Sequence, residues 1–270
     1  MKCAVTISLV PEARGGPFVY WDDLAAGCRE AAARGFDAVE IFPPGPEAID
    51  VEELRGLLDD NGLSVAAVGT GAGWVKHRLS LTSADEVVRE KAIAFVKSIM
   101  DLAAKFDAPA IIGSMQGKWE GAVSKQVALR YLGNALFKLD EHADDLGTTL
   151  LYEPLNRYET NLINTLGDAV QMLTGTATRN VKILADLYHM NIEEANVADA
   201  IRAAGPHVGH VHFADSNRRA AGLGHTDFMP IFAALVEIGY AGYLSAEVLP
   251  LPDPDTAARQ TVATFRSLVG

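Results

Sequence analysis

Four residues in the second half of the chain, Glu153, Asp186, His212 and Glu247, each close an apolar run. The runs are Leu150-Leu151-Tyr152, Ile183-Leu184-Ala185, Val208 to Val211 and Leu244-Ser245-Ala246. A carboxylate at the end of a buried strand is costly unless something pairs with it. One such acid alone is more often a cap or a hydrogen-bonding residue. Three together repel, and one or more stays protonated unless a cation sits among them. Three carboxylates and one imidazole form a mixed O/N set suited to Mn²⁺, with Co²⁺, Mg²⁺ or Zn²⁺ as alternatives. Vacant coordination positions on such an ion could take two oxygens of a substrate. His210 competes with His212, because both flank Val211 and share one strand face. His212 stands nearer the strand end and is preferred; His207, behind Gly205-Pro206, belongs at the strand's entrance. Pro154 cannot donate to a sheet ladder, so the strand that delivers Glu153 must stop there.

The elements that would carry these residues alternate short apolar runs with longer amphipathic stretches, the pattern of β-α units around a parallel sheet. The predicted strands are Ala4 to Leu9, Ala38 to Ile41, Ser64 to Val68, Ala110 to Gly113, Thr148 to Glu153, Lys182 to Asp186, Gly209 to Phe213 and Tyr243 to Val248. Between them, Ser83-x-x-Glu86 reads as a capping box opening a helix with Val88, Ala92, Phe95, Val96, Ile99 and Ala103 on one face. Asp50, Thr165, Asn191 and Asp227 stand where N-caps are wanted, and Asp253 precedes Pro254. Gly35, Gly62, Gly147 and Gly242 punctuate the chain shortly before strands. Gly45 to Ile49, Trp74 to Leu81 and Gly113 to Ala122 read as loops.

Eight strands, eight helical stretches and no dividing linker predict one α/β domain over residues 1–270, a (β/α)8 TIM barrel. Its metal site would lie at the C-terminal ends of the fifth to eighth strands. Adjacent strands lie about 4.8 Å apart, so consecutive ends can converge on one point. The competing architecture is a doubly wound open sheet. Against it, no Gly-x-Gly-x-x-Gly follows the first strand and no Walker lysine loop is present.

At 270 residues and 49% hydrophobic, the chain has ample material for a large core. A formal net charge of −12 argues against a surface that tracks nucleic-acid phosphates or anionic lipid. Two cysteines, Cys3 and Cys28, allow at most one bridge and show no metal-type spacing. With no stretch resembling a signal peptide or membrane span, a cytoplasmic location is expected.

Longer motifs carry a resemblance. Glu153-Pro154-Leu155-Asn156-Arg157, Asp186-Leu187-Tyr188-His189-Met190 and His210-Val211-His212-Phe213-Ala214-Asp215-Ser216-Asn217-Arg218 resemble the xylose-isomerase-like sugar isomerase/epimerase superfamily of TIM barrels. Gly224-His225-Thr226-Asp227-Phe228 and Ser245-Ala246-Glu247 continue it to the last strand. The match is close in the C-terminal half and only by pattern in the N-terminal half. The Ser216-Asn217-Arg218 triplet looks most like the ketose (D-tagatose/D-psicose) 3-epimerase branch. The resemblance implies one divalent ion held by Glu153, Asp186, His212 and Glu247, usually Mn²⁺ or Co²⁺, and no organic cofactor. It implies C3 epimerisation of a free ketose through a metal-bound cis-enediolate, with Glu153 and Glu247 as the acid/base pair. Glu159, His189 and Arg218 would bind substrate oxygens. Hydroxypyruvate-type isomerisation and keto-inositol dehydration use the same chemistry, and the motifs separate them poorly. The partner expected is a small sugar or polyol ketone, and the protein is expected to pair as a homodimer or homotetramer.

Other residues carry competing readings. Arg219 competes with Arg218, and Glu159 could instead pair with Arg157 on its own loop. Trp74 and His77 suit a substrate wall and a hydroxyl contact, or a loop packed down; Gln116 and Trp119 have the same status. Glu40 is placed to orient another site group, and His225 sits in a Gly-rich loop where exposure is the default. The endonuclease IV family shares the superfamily but needs histidines after the third and fourth strands. Here those regions read Val68-Gly69-Thr70-Gly71 and Ile112-Gly113-Ser114-Met115. A non-catalytic metal- or sugar-binding barrel is the third class, disfavoured because both acid/base candidates are present with the ligands.

Overall fold

Parallel strands buried on both faces need near-continuous apolar sequence, and the eight predicted runs all become strands of one closed barrel. A computed structural model, which describes residues 1–270, places them as β1 (Lys2–Ser8), β3 (Ala38–Phe42), β4 (Ser64–Gly69), β5 (Ala110–Ile112), β6 (Leu150–Tyr152), β7 (Val181–Asp186), β8 (Val208–His212) and β9 (Tyr243–Ala246). All pair in parallel with their sequence neighbours, and β9 returns to β1 in the register Lys2↔Tyr243 to Val5↔Ala246. An extra two-residue strand, β2 (Tyr20–Trp21), pairs with the end of β1 and was not expected. Two residues carry too little periodicity to be read.

Main helices follow each strand on the outside, and their ends are chemically marked. Asp50, Thr165, Asp227 and Asp253 accept backbone N–H groups as N-caps. Gly35, Gly62 and Gly147 take the left-handed conformation at helix C-termini, which a residue with a Cβ adopts only at a cost. Two expectations fail. Ser83 does not form the capping box: the helix Glu86–Ala104 is capped by Asp85, whose carboxylate accepts from Val87 N, while Ser83 Oγ accepts from Asp85 N. The carboxylate two residues closer to the first turn takes the role. Asn191 lies inside the helix Leu187–Glu193, and Asn196 caps the next one, Val197–Ala204. The stretches read as loops after the second, third and fourth strands contain single turns at Pro46–Ala48, Ala72–Val75 and Ser114–Gln116.

One large core fills the space between barrel and helices. The barrel's own interior is plugged by smaller groups: Ala4, Ala38 and Ala66, then Ala67, Ile111, Leu151 and Leu184. Above this plug the inward side chains turn polar, with Thr6, Glu40, His210, His212 and Ser245 all buried. Polar groups that deep must be paired or used. Cys3 and Cys28 are both free and buried, and no helix is long and apolar enough to cross a membrane.

Candidate active site

The site is assembled from strand ends. Asp186 and His212 are the last residues of β7 and β8, and Glu153 and Glu247 stand one residue beyond β6 and β9. Their ligand-type atoms all lie within 4.8 Å of one another. His212 Nδ1 is 3.2 Å from Asp186 Oδ2, 3.4 Å from Glu153 Oε1 and 3.5 Å from Glu247 Oε2. Local structure holds each one. Glu153 N donates to Ile112 O at 2.9 Å, continuing the ladder past the strand. Gln116 Nε2 donates to Glu153 O at 2.9 Å, and Tyr152 Oη donates to Gln116 Oε1 at 2.6 Å. Gln116 is therefore a strut under the site. Gly113 supplies the room: a Cβ there would meet Glu153 Oε2 at 2.5 Å. Asp186 divides its oxygens, Oδ1 accepting from Tyr188 N and His189 N at the start of a helix and Oδ2 facing His212 and Arg218.

The electrostatics are those of a cluster wanting a cation. Burial, reinforced by neighbouring carboxylates, pushes the Glu153 and Glu247 carboxyls above the ordinary range, although His212 pulls both back. Burial would also raise Asp186, but Arg218, His189 and His212 hold it well below its usual value. His212 is held protonated by the acids around it despite burial, Glu40 and Glu247 foremost. Glu153 Oε1 is buried with no hydrogen-bond donor. An orphaned carboxylate oxygen among three oxygen ligands and an imidazole fits a single divalent ion.

His210 and His212 separate here. His212 turns Nδ1 toward the cluster and Nε2 toward Glu40 Oε1, 3.3 Å away, while His210 Nε2 lies 3.0 Å from Glu40 Oε2. Thr6 Oγ1 donates to Glu40 Oε1 at 3.2 Å. A carboxylate behind an imidazole fixes its tautomer and ring angle toward a metal. Glu40→Gln should therefore lower Mn²⁺ affinity by about 10–100-fold, read by calorimetry or electron paramagnetic resonance. Unchanged affinity with a lower Tm would reduce Glu40 to a packing residue.

Beside the cluster lie His189, Arg218 and Glu159, which line the same cavity of about 350 Å³ as Glu153, His212 and Glu247. Asn156 N and Nδ2 approach His189 Nδ1 at 3.3 and 2.7 Å, and Asn156 Oδ1 is taken by Tyr158 N. That network makes Nδ1 the acceptor and leaves the proton on Nε2. Burial pushes the imidazole down to about 4, so it is neutral. Nε2–H then faces Arg218 Nη1 at 3.2 Å, with Asp186 Oδ2 3.3 Å from Nη1 and 3.8 Å from Nε2. Arg218 also contacts Glu247 Oε2 directly and lies 3.3 Å from Asp186 Oδ2, its guanidinium 4.8 Å from the Tyr188 ring centroid. Its φ of +58° is an unusual conformation for a side-chain-bearing residue, worth of order 1–3 kcal/mol of strain.

The competing readings resolve by position. Arg157 forks onto Glu193 at 2.9 Å, not onto Glu159, which instead accepts from Asn156 Nδ2 at 3.2 Å. Arg219 is exposed, and of these two neighbours Arg218 is the one that lines the cavity, where Arg14 also stands. Trp74 lies outside the inner cavity, on the wall of a second, adjoining one. His77 is exposed, its ring 6.0 Å from Phe95, and lines neither. Trp119 staples loops together through Asn161. His225 is exposed, and His207 precedes β8 at the far end.

Sequence reasoning passed over Asp215, which is wholly buried. Its carboxylate accepts from the backbone N–H groups of Ser216, Gly222, Gly224 and Thr226 at 2.7–3.0 Å. It thereby shapes the loop that carries Arg218. The closely spaced Gly222 and Gly224 were the signal that could have found it. Phe18 and Phe42, stacked at 5.0 Å between centroids, form an apolar wall of the inner cavity that was likewise unread.

A family model described as a xylose isomerase-like TIM barrel matches residues 28–268. The chain is 34% identical over 242 residues to a D-psicose 3-epimerase of Agrobacterium fabrum (strain C58), covering 87% of this chain and 79% of that protein. It is 32% identical over 264 residues to an L-ribulose 3-epimerase of Methylomonas sp. (strain DH-1), covering 94% and 90%. Among solved structures, a D-psicose 3-epimerase crystallised in the presence of D-fructose superposes with a TM-score of 0.81 at 26% identity, each chain fully covered.

Proposed function

Because the chain belongs to the xylose isomerase-like TIM-barrel family, we propose that it is a divalent-metal-dependent sugar epimerase that inverts C3 of a free ketose. One observation carries the reading: two glutamates, the buried Glu153 and the half-buried Glu247, meet Asp186 and His212 within 4.8 Å, at a cavity that also presents Arg218 and His189. The first four would hold the ion, Mn²⁺ or Co²⁺ before Mg²⁺ or Zn²⁺. When bound, a divalent ion supplies Lewis acidity, polarising a ketone and its neighbouring hydroxyl.

The chain's own groups do the rest. A proton beside a ketone is a weak acid, so it must be met by a base already in place. One of Glu153 and Glu247 takes it, and the other returns a proton to the opposite face of the same carbon. Burial of both carboxyls raises their proton affinity toward the range where a group can act in either sense. His189 Nε2–H and Arg218 Nη1 stand 3.2 Å apart on the cavity wall, two donors that suit the substrate's carbonyl or an adjoining hydroxyl. Glu159 accepts from a hydroxyl at the cavity's outer edge. Phe18 and Phe42 exclude water from the apolar side. We read residues 1–270 as one barrel domain, cytoplasmic in keeping with its two free thiols, and paired as a homodimer or homotetramer.

Metal-loaded protein incubated in D₂O with D-fructose, D-tagatose and D-psicose should place deuterium on C3 and yield the C3 epimer, both visible by NMR. Stripping the metal with EDTA should abolish exchange, and Mn²⁺ or Co²⁺ should restore it. No deuterium on carbon across that panel overturns the epimerase reading.

A further inference from the structure

The inner cavity does not end at Glu159. Ser114, Leu155 and Glu159 line both it and a second cavity of about 710 Å³, bounded by the loops after β4, β5 and β6. The inner chamber, at about 350 Å³, already falls within the range of small-ligand pockets, about 300–1,000 Å³. A free monosaccharide therefore leaves the outer chamber, twice as large, without an occupant. Resting on the proposed ketose reading, we propose that the outer chamber is a second sugar subsite and that the substrate is a ketose carrying a further polyhydroxylated unit, a ketose disaccharide with C1 to C3 free.

The chemistry of the wall selects a polyol over an anion. Arg78 and Lys118 supply cationic donors, but Glu120 and Glu159 stand on the same lining, so the chamber carries no net positive charge for a phosphate. Balanced donors and acceptors, with the hydroxyls of Ser83 and Ser114, suit a ring of hydroxyl groups that both donate and accept. Two aromatic rings complete the wall: Trp74 is 37% exposed and Tyr158 is 77% exposed. Large aromatic faces left open beside fixed polar groups are the composition of a ligand site.

The chamber is also built in advance. Thr82 Oγ1 lies 3.0 Å from Gln116 O and 3.1 Å from Lys118 O, tying the loop after β4 to the loop after β5. Trp119 N and Nε1 donate to Asn161 at 2.9 and 3.0 Å, tying that loop to the one after β6. Arg78 gives a second, independent sign. The turn Ala72–Val75 closes with Arg78 N donating to Trp74 O at 3.0 Å and Leu79 N to Gly73 O at 2.8 Å. Arg78 occupies the left-handed position of that motif, at φ +55°, where glycine would carry no steric cost. Its guanidinium is held 5.3 Å from the Trp74 ring centroid, at the chamber wall. Together with the ring beneath it, that conformation points to a role for the guanidinium at the wall.

The test uses the metal-loaded enzyme and D-fructose beside glucosyl-fructoses substituted at O4, O5 or O6 (maltulose, leucrose, isomaltulose), all of which leave C1 to C3 free. Deuterium uptake at C3 of the fructosyl unit is the readout. At least one disaccharide should exceed D-fructose in kcat/KM by tenfold. Arg78→Ala, and separately Ser83→Trp to fill the chamber, should each lower the disaccharide-to-fructose ratio of kcat/KM at least tenfold. If D-fructose exchanges but every disaccharide is poorer, or if neither variant moves the ratio, the subsite is overturned. If no sugar exchanges, the epimerase reading itself has failed and this proposal with it.

Discussion

Glu247→Gln and Glu153→Gln should each give a folded barrel that binds sugar yet moves protons about 10²–10⁴-fold more slowly, roughly 3–5 kcal/mol on the barrier. The amide keeps the shape and one oxygen but has no basicity, so the loss should sit in kcat rather than KM. It should persist at saturating Mn²⁺, which separates loss of the base from weakened metal binding. Stability should move the other way. Both carboxyls have folded-state pKa values above their unfolded ones, so in metal-free protein their ionisation opposes folding, increasingly as pH rises through the unfolded value. Removing one charge should leave the metal-free Tm at neutral pH unchanged or higher. Deuterium washout from C3-labelled ketose, together with thermal melts of both forms, checks the two halves. A variant retaining wild-type kcat would remove that glutamate from the proton pathway.

Asp215→Ala should be the most damaging change outside the ligand set. Four backbone N–H groups would lose their acceptor in the loop. Leaving buried donors unpaired costs about 1–3 kcal/mol each in isolation, and because the loop can relax a net loss of about 3 kcal/mol is expected. Chemical denaturation measures it. The loop also presents Arg218, whose N–H donates to Asp215 O at 2.8 Å and whose carbonyl accepts from Leu249 N at 2.8 Å. Turnover should therefore fall together with stability. The pH dependence has a definite sign. Burial raises the Asp215 carboxyl but the backbone donors outweigh it, holding its pKa below the ordinary value. Its stabilisation is fully present above the unfolded carboxylate pKa, about 3.9, and is lost as pH falls through the lower folded value. Asp215→Ala should flatten that acid limb.

The strands were legible because each parallel strand, buried on both faces, must be written in apolar residues, and the four site residues because they interrupt that rule at strand ends. What stayed hidden depends on reach across the fold rather than on local pattern. Ser83 and Asp85 are both good caps, and only the backbone path decides which carboxyl or hydroxyl meets the first free N–H. Glu40 was readable as a possible orienting group, but its partners His210 and His212 come from the far side of the barrel. Arg157 took Glu193 instead of Glu159 because the helix after β7 brings that carboxylate alongside. His77 had the right residue type in the right loop and points away. Asp215 serves backbone groups scattered over eleven positions, an arrangement with no periodic signature.

Closure of the sheet through β1 and β9 also sets a timetable for biosynthesis. Glu153, Asp186 and His212 leave the ribosome in that order, but the strand that brings Glu247 and seals the cylinder against Lys2 to Val5 comes last. At roughly 5–20 residues per second, the nascent chain carries an incomplete ligand set for on the order of ten seconds. Translation of β9 is thus the earliest moment at which the four groups can come together, and an ion held by them, as proposed, would enter only after that strand is made.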